Sequence, residues 1–255
     1  MVKRVDYHIH TTFSDGEGSY KEVIDRAREL NLESIAITDH FDPYDPNPSI
    51  NNIREMDLIE HFSMIKEYAC KKGQRVICGI ETCTDFYGKI RLSDRVIKNC
   101  EIIITSPHYI EYGGSIIPGK YYDDKFWTAY KNKVINMAKG SGNILGHMES
   151  YLPYGSMLVP NTTTFEGRIR LAQKIANRYF DEKYIDELID TLRFSNKAIE
   201  LHCMTKSPRD WVIDKLSQNN IPMSIGSDAH ALDAVGMIDW GIEKIKGHKC
   251  IQYSI

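Results

Sequence analysis

The sequence lacks the features of a membrane, secreted or nucleic-acid-binding protein. No apolar run is long enough to span a bilayer, and no apolar signal segment precedes the first strand-like run, so we expect a cytoplasmic protein. The 32 lysine and arginine residues are outnumbered by 35 aspartate and glutamate residues, which gives a net charge of -3. No basic stripe with interleaved aromatic residues is present, and extended nucleic-acid binding is therefore not expected.

Paired cysteines and domain linkers are also missing. The six cysteines are scattered without a Cys-x-x-Cys pair, which favours free thiols over a disulfide framework. The lack of cysteine at the strand ends argues against a closed structural zinc site, and only Cys83 and Cys203 lie close enough to leave that alternative open. No low-complexity segment, linker or internal repeat interrupts the chain. We therefore expect one domain over residues 1–255, long enough to bury a sizeable core.

Strand-like and helical patterns alternate along the chain. The predicted strands cover residues 5–9, 34–38, 75–80, 101–105, 143–147, 198–202 and 221–226. Ser19 and Glu22 form a capping-box pattern before the first helix, and Ser207-Pro208 predicts an N-cap and first position for the helix after the sixth strand. This alternation predicts a parallel (β/α) barrel or a doubly wound sheet. The loops at 40–52, 106–120 and 148–163 are long enough to be lids or binding loops.

Polar residues that can bind metal follow almost every predicted strand. The catalytic face of a parallel barrel lies at the C-terminal ends of its strands, so these side chains are expected to converge there. Their number suits two or three Zn, Mn or Fe ions, with a carboxylate bridging at least one pair. The candidates, which include six of the nine histidines, are His8, His10, Asp15, His40, Glu81, His108, His147, Asp228 and His230.

Each of these residues alone also has an ordinary structural interpretation. An isolated His-x-His pair is weak evidence of metal, Glu81 could form a salt bridge, and Asp39 could cap a helix. We expect Asp39 instead to accept a hydrogen bond from a metal-binding histidine. His61 and His248 are expected to be surface or packing residues. Convergence of the strand ends, rather than any single motif, indicates a metal site.

The ordered motifs "HIHTTFSDG", "ITDH", "GIE", "SPH", "GH" and "GSDAH" resemble the PHP family, named for polymerases and histidinol phosphatases. The resemblance spans almost the whole chain. It implies a distorted seven-stranded (β/α) barrel that hydrolyses phosphoesters at a trinuclear metal site. The implied ligand sets are His8, His10, Glu81 and Asp228 for one ion, Glu81 as a bridge with His108 and His147 for a second, and Asp15, His40 and His230 for a third. Some family members have histidine where this chain has Asp15.

The single-domain length resembles the histidinol-phosphatase branch of that family. In that branch a run of the form Asn-x-Ser-Gly-x-Arg follows the sixth strand, and this chain has "MTKSPR" at 204–209. Arg209 matches the arginine of that run, but Met204 and Ser207 depart from it. The resemblance therefore does not fix histidinol phosphate as the substrate.

The resemblance leads to a mechanistic hypothesis in which a metal-bound hydroxide attacks a small phosphomonoester. Metal binding makes hydroxide available near neutral pH. Arg209, expected near a helix N-terminus, is the leading candidate for binding phosphate. Lys206 and Arg168 are weaker candidates, and His202 is a candidate acid for the leaving group.

Three other functions remain open at this stage. A metal-dependent amidohydrolase also begins with His-x-His, but the bridging lysine that such enzymes often carry after strand four is absent from "IIITSPH". A phosphodiesterase or exonuclease acting on short nucleic-acid ends could use the same ligands. A non-enzymatic metal-binding module should have lost ligands, and all nine are present. The sequence does not indicate the oligomeric state.

Overall fold

A computed structural model describes residues 2–110, 124–150 and 164–255, except for the side chains of Phe165 and Arg168. Seven parallel strands pair in chain order. They are β1 (Val5–Ile9), β2 (Ser34–Ile37), β3 (Val76–Thr82), β4 (Ile102–Thr105), β5 (Ile144–Leu145), β6 (Ala198–His202) and β7 (Met223–Gly226). Most of the predicted loops 106–120 and 148–163 fall outside the described residues, and the loop at 40–52 contains a short helix.

The first and last strands approach each other and nearly close the sheet into a barrel. Ile9 bridges Ala229 in parallel, and the His10 N–H donates to the Ala229 carbonyl at 2.9 Å. Below this bridge the buried Asp6 carboxylate accepts hydrogen bonds from the Ser227 N–H and hydroxyl at 2.9 and 2.7 Å. The prediction of a distorted seven-stranded barrel is confirmed, and the doubly wound alternative is wrong.

The helices of the described residues lie between successive strands, except the last one, which follows β7. They are α1 (Tyr20–Glu29), α2 (Pro48–Asn51), α3 (Glu55–Lys72), α4 (Asp94–Asn99), α5 (Asp124–Lys139), α6 (Phe165–Tyr179), α7 (Glu182–Leu192), α8 (Asp210–Gln218) and α9 (Asp239–Gly247). The capping box of Ser19 and Glu22 is present at the start of α1. None of the helices in the described part of the chain combines the length and apolar character needed to cross a membrane.

The start predicted for the helix after β6 is wrong. Ser207 pairs with His202 through backbone hydrogen bonds in both directions, at 2.9 and 3.2 Å. This pairing commits the Ser207 backbone to a small bridge instead of a helix N-cap. The helix α8 therefore begins at Asp210, with Arg209 at the N-cap position and no side-chain capping bond.

The apolar faces of the helices pack around the barrel, and a smaller apolar cluster fills its interior. Ile77 and Ala198 belong to this interior cluster. Because strand side chains alternate, Glu81 and Glu200 point the same way as these two residues. The register of β1 on β2 shifts between Asp6 and Ile9, which is where β1 brings its histidines to the site. The barrel interior is thus apolar towards the N-terminal ends of the strands and polar at their C-terminal ends.

Candidate metal centre

The strand ends bring possible metal ligands into three overlapping clusters. Within each cluster, one ligand atom of every residue lies within 4.8 Å of the others. Glu81 belongs to two clusters, as do His10 and His40. The clusters are His8, His10, Glu81 and Asp228; His40, Glu81 and His108; and His10, Asp15, His40 and His230.

The first cluster is buried and surrounds one oxygen of Glu81. Its Oε2 lies 3.3 Å from His8 Nε2 and 3.5 Å from His10 Nε2. Asp228 Oδ1 lies 3.4 and 3.2 Å from the same two nitrogens. Asp228 has a left-handed backbone (φ 54°), which aspartate tolerates better than most residues. These four side chains are the set that the family resemblance implies for a first ion.

The other oxygen of Glu81 faces two more histidines. Its Oε1 lies 2.9 Å from His147 Nε2 and 3.1 Å from His108 Nε2. His40 Nδ1 also lies 3.1 Å from Glu81 Oε2, so His40 borders this cluster as well as the third one. A single carboxylate between two groups of imidazoles has the geometry expected of a bridging ligand.

The third cluster forms the open side of the site. Asp15 Oδ2 lies 3.6 Å from His40 Nε2 and 3.4 Å from His230 Nε2. The side chains of Asp15 and His230 are each 37% exposed, whereas those of the first cluster are almost fully buried. Asp15, which follows β1 in a loop, therefore belongs with His40 and His230 at the solvent side.

The donor set fits divalent cations. His8 Nε2 and both ring nitrogens of His10 are buried and have no hydrogen-bond partner within the described residues. Buried polar atoms are normally satisfied, and orphaned imidazole nitrogens beside carboxylates are what a metal ion would satisfy. The residues present thus fit the ions implied by the family resemblance.

The electrostatics of the site follow from dense packing of imidazoles and carboxylates. Burial raises the pKa of Glu81, but His108, His8 and His40 outweigh it and hold that pKa well below its usual value. Burial opposes charge on His8, but Glu200, Glu81 and Asp228 raise its pKa well above normal. The carboxylates are therefore held ionised, which is the form that binds metal.

Glu200 is a supporting residue that sequence reasoning missed. It lies on β6, where its Oε1 accepts a hydrogen bond from His8 Nδ1 at 2.6 Å. Its Oε2 accepts from the His147 backbone N–H at 2.7 Å. The sequence could have indicated Glu200 by its position two residues before His202, on the same face of the predicted strand. Glu200 leaves Nε2 of His8 directed at the cluster, as carboxylates behind metal-binding histidines commonly do.

His202, the predicted acid for the leaving group, lies behind Asp228. Its Nε2 is 2.9 Å from Asp228 Oδ2, and its Nδ1 is 2.5 Å from the Thr205 hydroxyl. The residue is almost completely buried. Both ring nitrogens of His202 therefore contact protein partners, and its predicted role as an acid stays a prediction.

Asp39 contacts partners different from those predicted. Its Oδ2 lies 3.1 Å from Nε2 of His61, and its oxygens accept hydrogen bonds from Thr11 and Ser14. Within the described residues, Asp39 accepts no hydrogen bond from a proposed ligand histidine. His61 is buried on α3 and stacks on Phe13 at 4.1 Å, so it is a packing residue and also the partner of Asp39. Asp39 therefore orders the loop that carries Asp15.

Arg209, the leading candidate for phosphate binding, is held by protein groups in the structure. Its guanidinium donates from Nη2 to Glu149 Oε1 at 2.6 Å and to the Phe180 carbonyl at 2.6 Å, and from Nη1 to Asn177 at 3.1 Å. Glu149 is buried and also accepts from the Arg209 N–H at 2.9 Å. These bonds commit the guanidinium to joining α8 to the loop after β5 and to the α6–α7 junction.

The two weaker phosphate candidates remain predictions. Lys206 is exposed in the turn after β6 and has a left-handed backbone (φ 56°). Arg168 lies in α6, and its side chain lies outside the described residues.

Comparisons with known proteins agree with the geometry. The family model described as "PHP domain" matches residues 6–203. A probable histidinol-phosphatase from Thermotoga maritima is 22% identical over 249 residues, covering 94% of this chain and 89% of that protein. An uncharacterized protein from Methanocaldococcus jannaschii is 42% identical over 80 residues, and this match spans only 31% of this chain and 33% of that protein.

A solved structure shares the fold. It is histidinol phosphate phosphatase from Lactococcus lactis, complexed with zinc, L-histidinol and phosphate. The two structures superpose with a TM-score of 0.72 at 18% identity, covering 99% of this chain and 96% of that chain.

Proposed function

The chain belongs to the PHP domain family and is a metal-dependent phosphoesterase similar to histidinol phosphatases, and we propose that it hydrolyses a small phosphomonoester at a site of three divalent ions. In this proposal residues 1–255 form one catalytic domain. The ions are Zn, Mn or Fe, and their ligands are His8, His10, Asp15, His40, Glu81, His108, His147, Asp228 and His230.

The observation that carries the proposal is the position of Glu81 between two groups of histidines. One oxygen faces His8 and His10 at the end of β1, and the other faces His108 and His147. An ionised carboxylate in this position can bind two adjacent cations, one through each oxygen. An ordinary salt bridge would need only one partner. Two adjacent ions are the common arrangement for in-line displacement at phosphorus.

The residues of the chain have separate roles in the proposed reaction. Bound divalent ions would lower the pKa of water and neutralise charge on the phosphoryl oxygens. Glu200 and His202 hold His8 and Asp228 in place from behind. Asp15 and His230 are the most exposed of the proposed ligands, so the substrate is expected to enter on their side. Burial of the first cluster excludes bulk water from the opposite side.

Substrate screening tests the proposal and separates it from its alternatives. Purified protein loaded with Zn, Mn or Fe would be assayed for metal content and for hydrolysis of phosphomonoesters, phosphodiesters, amides and lactones. We expect turnover of monoesters. Preference for diesters would favour the exonuclease alternative, and turnover of amides alone would favour an amidohydrolase. A fully metallated protein that hydrolyses nothing would contradict the enzymatic proposal.

Glu81→Gln tests the role of the bridging carboxylate, and Glu67→Gln, at an exposed position on α3, is its control. Loss of a supporting group behind a metal ligand typically costs about 10- to 100-fold in activity or affinity, so loss of the bridging ligand itself should exceed this range. Both variants would be checked for folding by circular dichroism.

A further inference from the structure

A buried lysine near the metal centre lacks an oxygen acceptor. Lys133, in the middle of α5, is 0% exposed; its Nζ has no oxygen acceptor among the residues that the structure describes, and the weakly polar Cys83 thiol is beside it. An ammonium group carries three donors, and burial of a charge without compensation is costly. Such a group is expected to have a counter-ion in the functional state of the protein.

Arg91 brings a second incompletely satisfied cation to the same place. Its Nε and Nη2 are buried without hydrogen-bond partners within the described residues, and the side chain as a whole is 20% exposed. Asp42 Oδ2 is 3.7 Å from Nη2, too far for a hydrogen bond. The Asp42 oxygens already accept from the Tyr109 hydroxyl and the Tyr44 N–H, each at 3.0 Å. Arg91 thus faces a carboxylate that already serves other donors.

Tyr109 connects both cations to the metal centre. Lys133 Nζ lies 4.5 Å from the centre of its ring, and the Arg91 guanidinium carbon lies 5.3 Å from it. The preceding residue, His108, faces Glu81 at 3.1 Å. A ring face attracts a cation but cannot accept the several N–H bonds that these groups offer. The donors are therefore available to an anion bound next to the second cluster.

We propose that Arg91 and Lys133 form an anion-binding subsite, with Tyr109 as its wall, that binds a second anionic group of the substrate. This inference rests on the proposed function, in which the phosphoryl group to be hydrolysed lies at the metal cluster. The second group is a carboxylate or a phosphate, since both match the paired donors of a guanidinium and the point charge of an ammonium. The substrate is thus a phosphomonoester with a further anionic group.

The subsite also indicates which substrates are rejected. A positive group at this position would meet two cations, so an amine-bearing ester such as histidinol phosphate is disfavoured there. Access is from the Arg91 end, where Tyr44, 59% exposed, lies 4.3 Å from the guanidinium carbon.

Two matched substrate pairs test this inference. The first pair is 3-phosphoglycerate and glycerol 3-phosphate, which differ in one carboxylate. The second pair is propane-1,3-diol bisphosphate and the corresponding monophosphate. Charge-assisted hydrogen bonds discriminate by roughly ten- to a hundredfold, so kcat/KM should favour at least one doubly anionic member by about that factor. Histidinol phosphate should be a poorer substrate than that member.

Arg91→Met and Lys133→Met assign the preference to the subsite. Each should lower the ratio of kcat/KM within the favoured pair by about tenfold or more, mainly through a higher KM for the doubly anionic member. Lys98→Met, on the exposed surface of α4, removes the same charge and should leave the ratio unchanged. If one of the two variants fails to fold in thermal denaturation, the other carries the test.

The outcomes separate this inference from the proposed function. Hydrolysis of monoesters with equal efficiency within both pairs, or a ratio that neither variant changes, would overturn the subsite and leave the phosphoesterase proposal intact. Preference for histidinol phosphate over the doubly anionic esters would also overturn it. If the metallated wild-type protein hydrolyses no monoester at all, the proposed function itself is wrong.

Discussion

Oε1 of Glu200 lies 2.6 Å from Nδ1 of His8, so a carboxylate from β6, beyond the neighbouring strand β7, determines which ring nitrogen of His8 faces the metal cluster. The other oxygen of Glu200 holds the backbone N–H of His147 at 2.7 Å. One side chain thus contacts two proposed ligands, His8 on β1 and His147 just after β5. Its importance can be measured separately from that of the ligands themselves.

Replacement of Glu200 by glutamine should weaken metal binding. The amide keeps the shape but loses the charge, and its NH₂ group cannot accept the hydrogen bond that one of the two N–H donors offers. Supporting groups of this kind are typically worth about 10- to 100-fold in metal affinity. Titration against a competing chelator measures the change, with Glu187→Gln on the exposed face of α7 as control. Unchanged affinity would show that Glu200 is not a positioning residue.

Replacement of Asp15 by alanine should remove one ion and leave two. Asp15 lies 3.4 to 3.6 Å from His230 and His40 but has no place in the two clusters that share Glu81. Elemental analysis should therefore give about two ions per chain for the variant and three for the wild type. Asp15→His, which reproduces the residue of some family members, should retain three ions with a changed metal preference. Loss of all metal from Asp15→Ala would contradict the division into separate clusters.

The strand ends were predictable because strand periodicity is local. The bounds predicted for the first and sixth strands match β1 (Val5–Ile9) and β6 (Ala198–His202). A parallel barrel then places every strand end on one face, so the convergence of the histidines and carboxylates follows from topology alone. The number of ions and the substrate do not follow from this topology and remain proposals.

The surroundings of the site were not predictable, because they depend on partners distant in sequence. The Arg209 side chain is bound by Glu149, which lies 60 residues earlier, and the two come together only when β5 and β6 are adjacent. Asp39 similarly pairs with His61 on α3. A pattern of residues in one segment indicates that a side chain is polar, but it cannot indicate which other segment supplies its partner.

Lys197 should make stability depend on pH. Burial lowers the pKa of its ammonium to about 7, below the ordinary value of 10.5. Between these two values the unfolded chain holds a proton that the folded chain lacks, so the free energy of unfolding should rise as the pH increases from about 7 to 10.5. Below pH 7 both states are protonated and the full penalty, about 2–5 kcal/mol, is present.

Urea denaturation at pH 6, 8 and 10 in the presence of a chelator checks this dependence. Lys197→Met should remove this component of the pH dependence and be relatively most stabilising at pH 6. Lys183→Met, exposed on α7, is the control for the loss of one charge. Parallel curves for the wild type and Lys197→Met would show that the Lys197 amine is not destabilised by burial, for example because its bonds to Thr105 and Ser141 compensate.

The pair of Arg209 and Glu149 should contribute to stability rather than to phosphate binding. Removal of one partner of a buried ion pair leaves an uncompensated charge, so Arg209→Met is expected to cost about 3–5 kcal/mol in the free energy of unfolding. Glu149→Gln in the same chain should recover part of that loss, because the buried charge is then gone. Inhibition by inorganic phosphate should be the same in the wild type and in the folded Arg209→Met protein. In the wild type the Arg209 guanidinium already bonds Glu149, Asn177 and the Phe180 carbonyl. A tenfold weaker inhibition with unaltered stability would instead return Arg209 to the phosphate site that the sequence predicted.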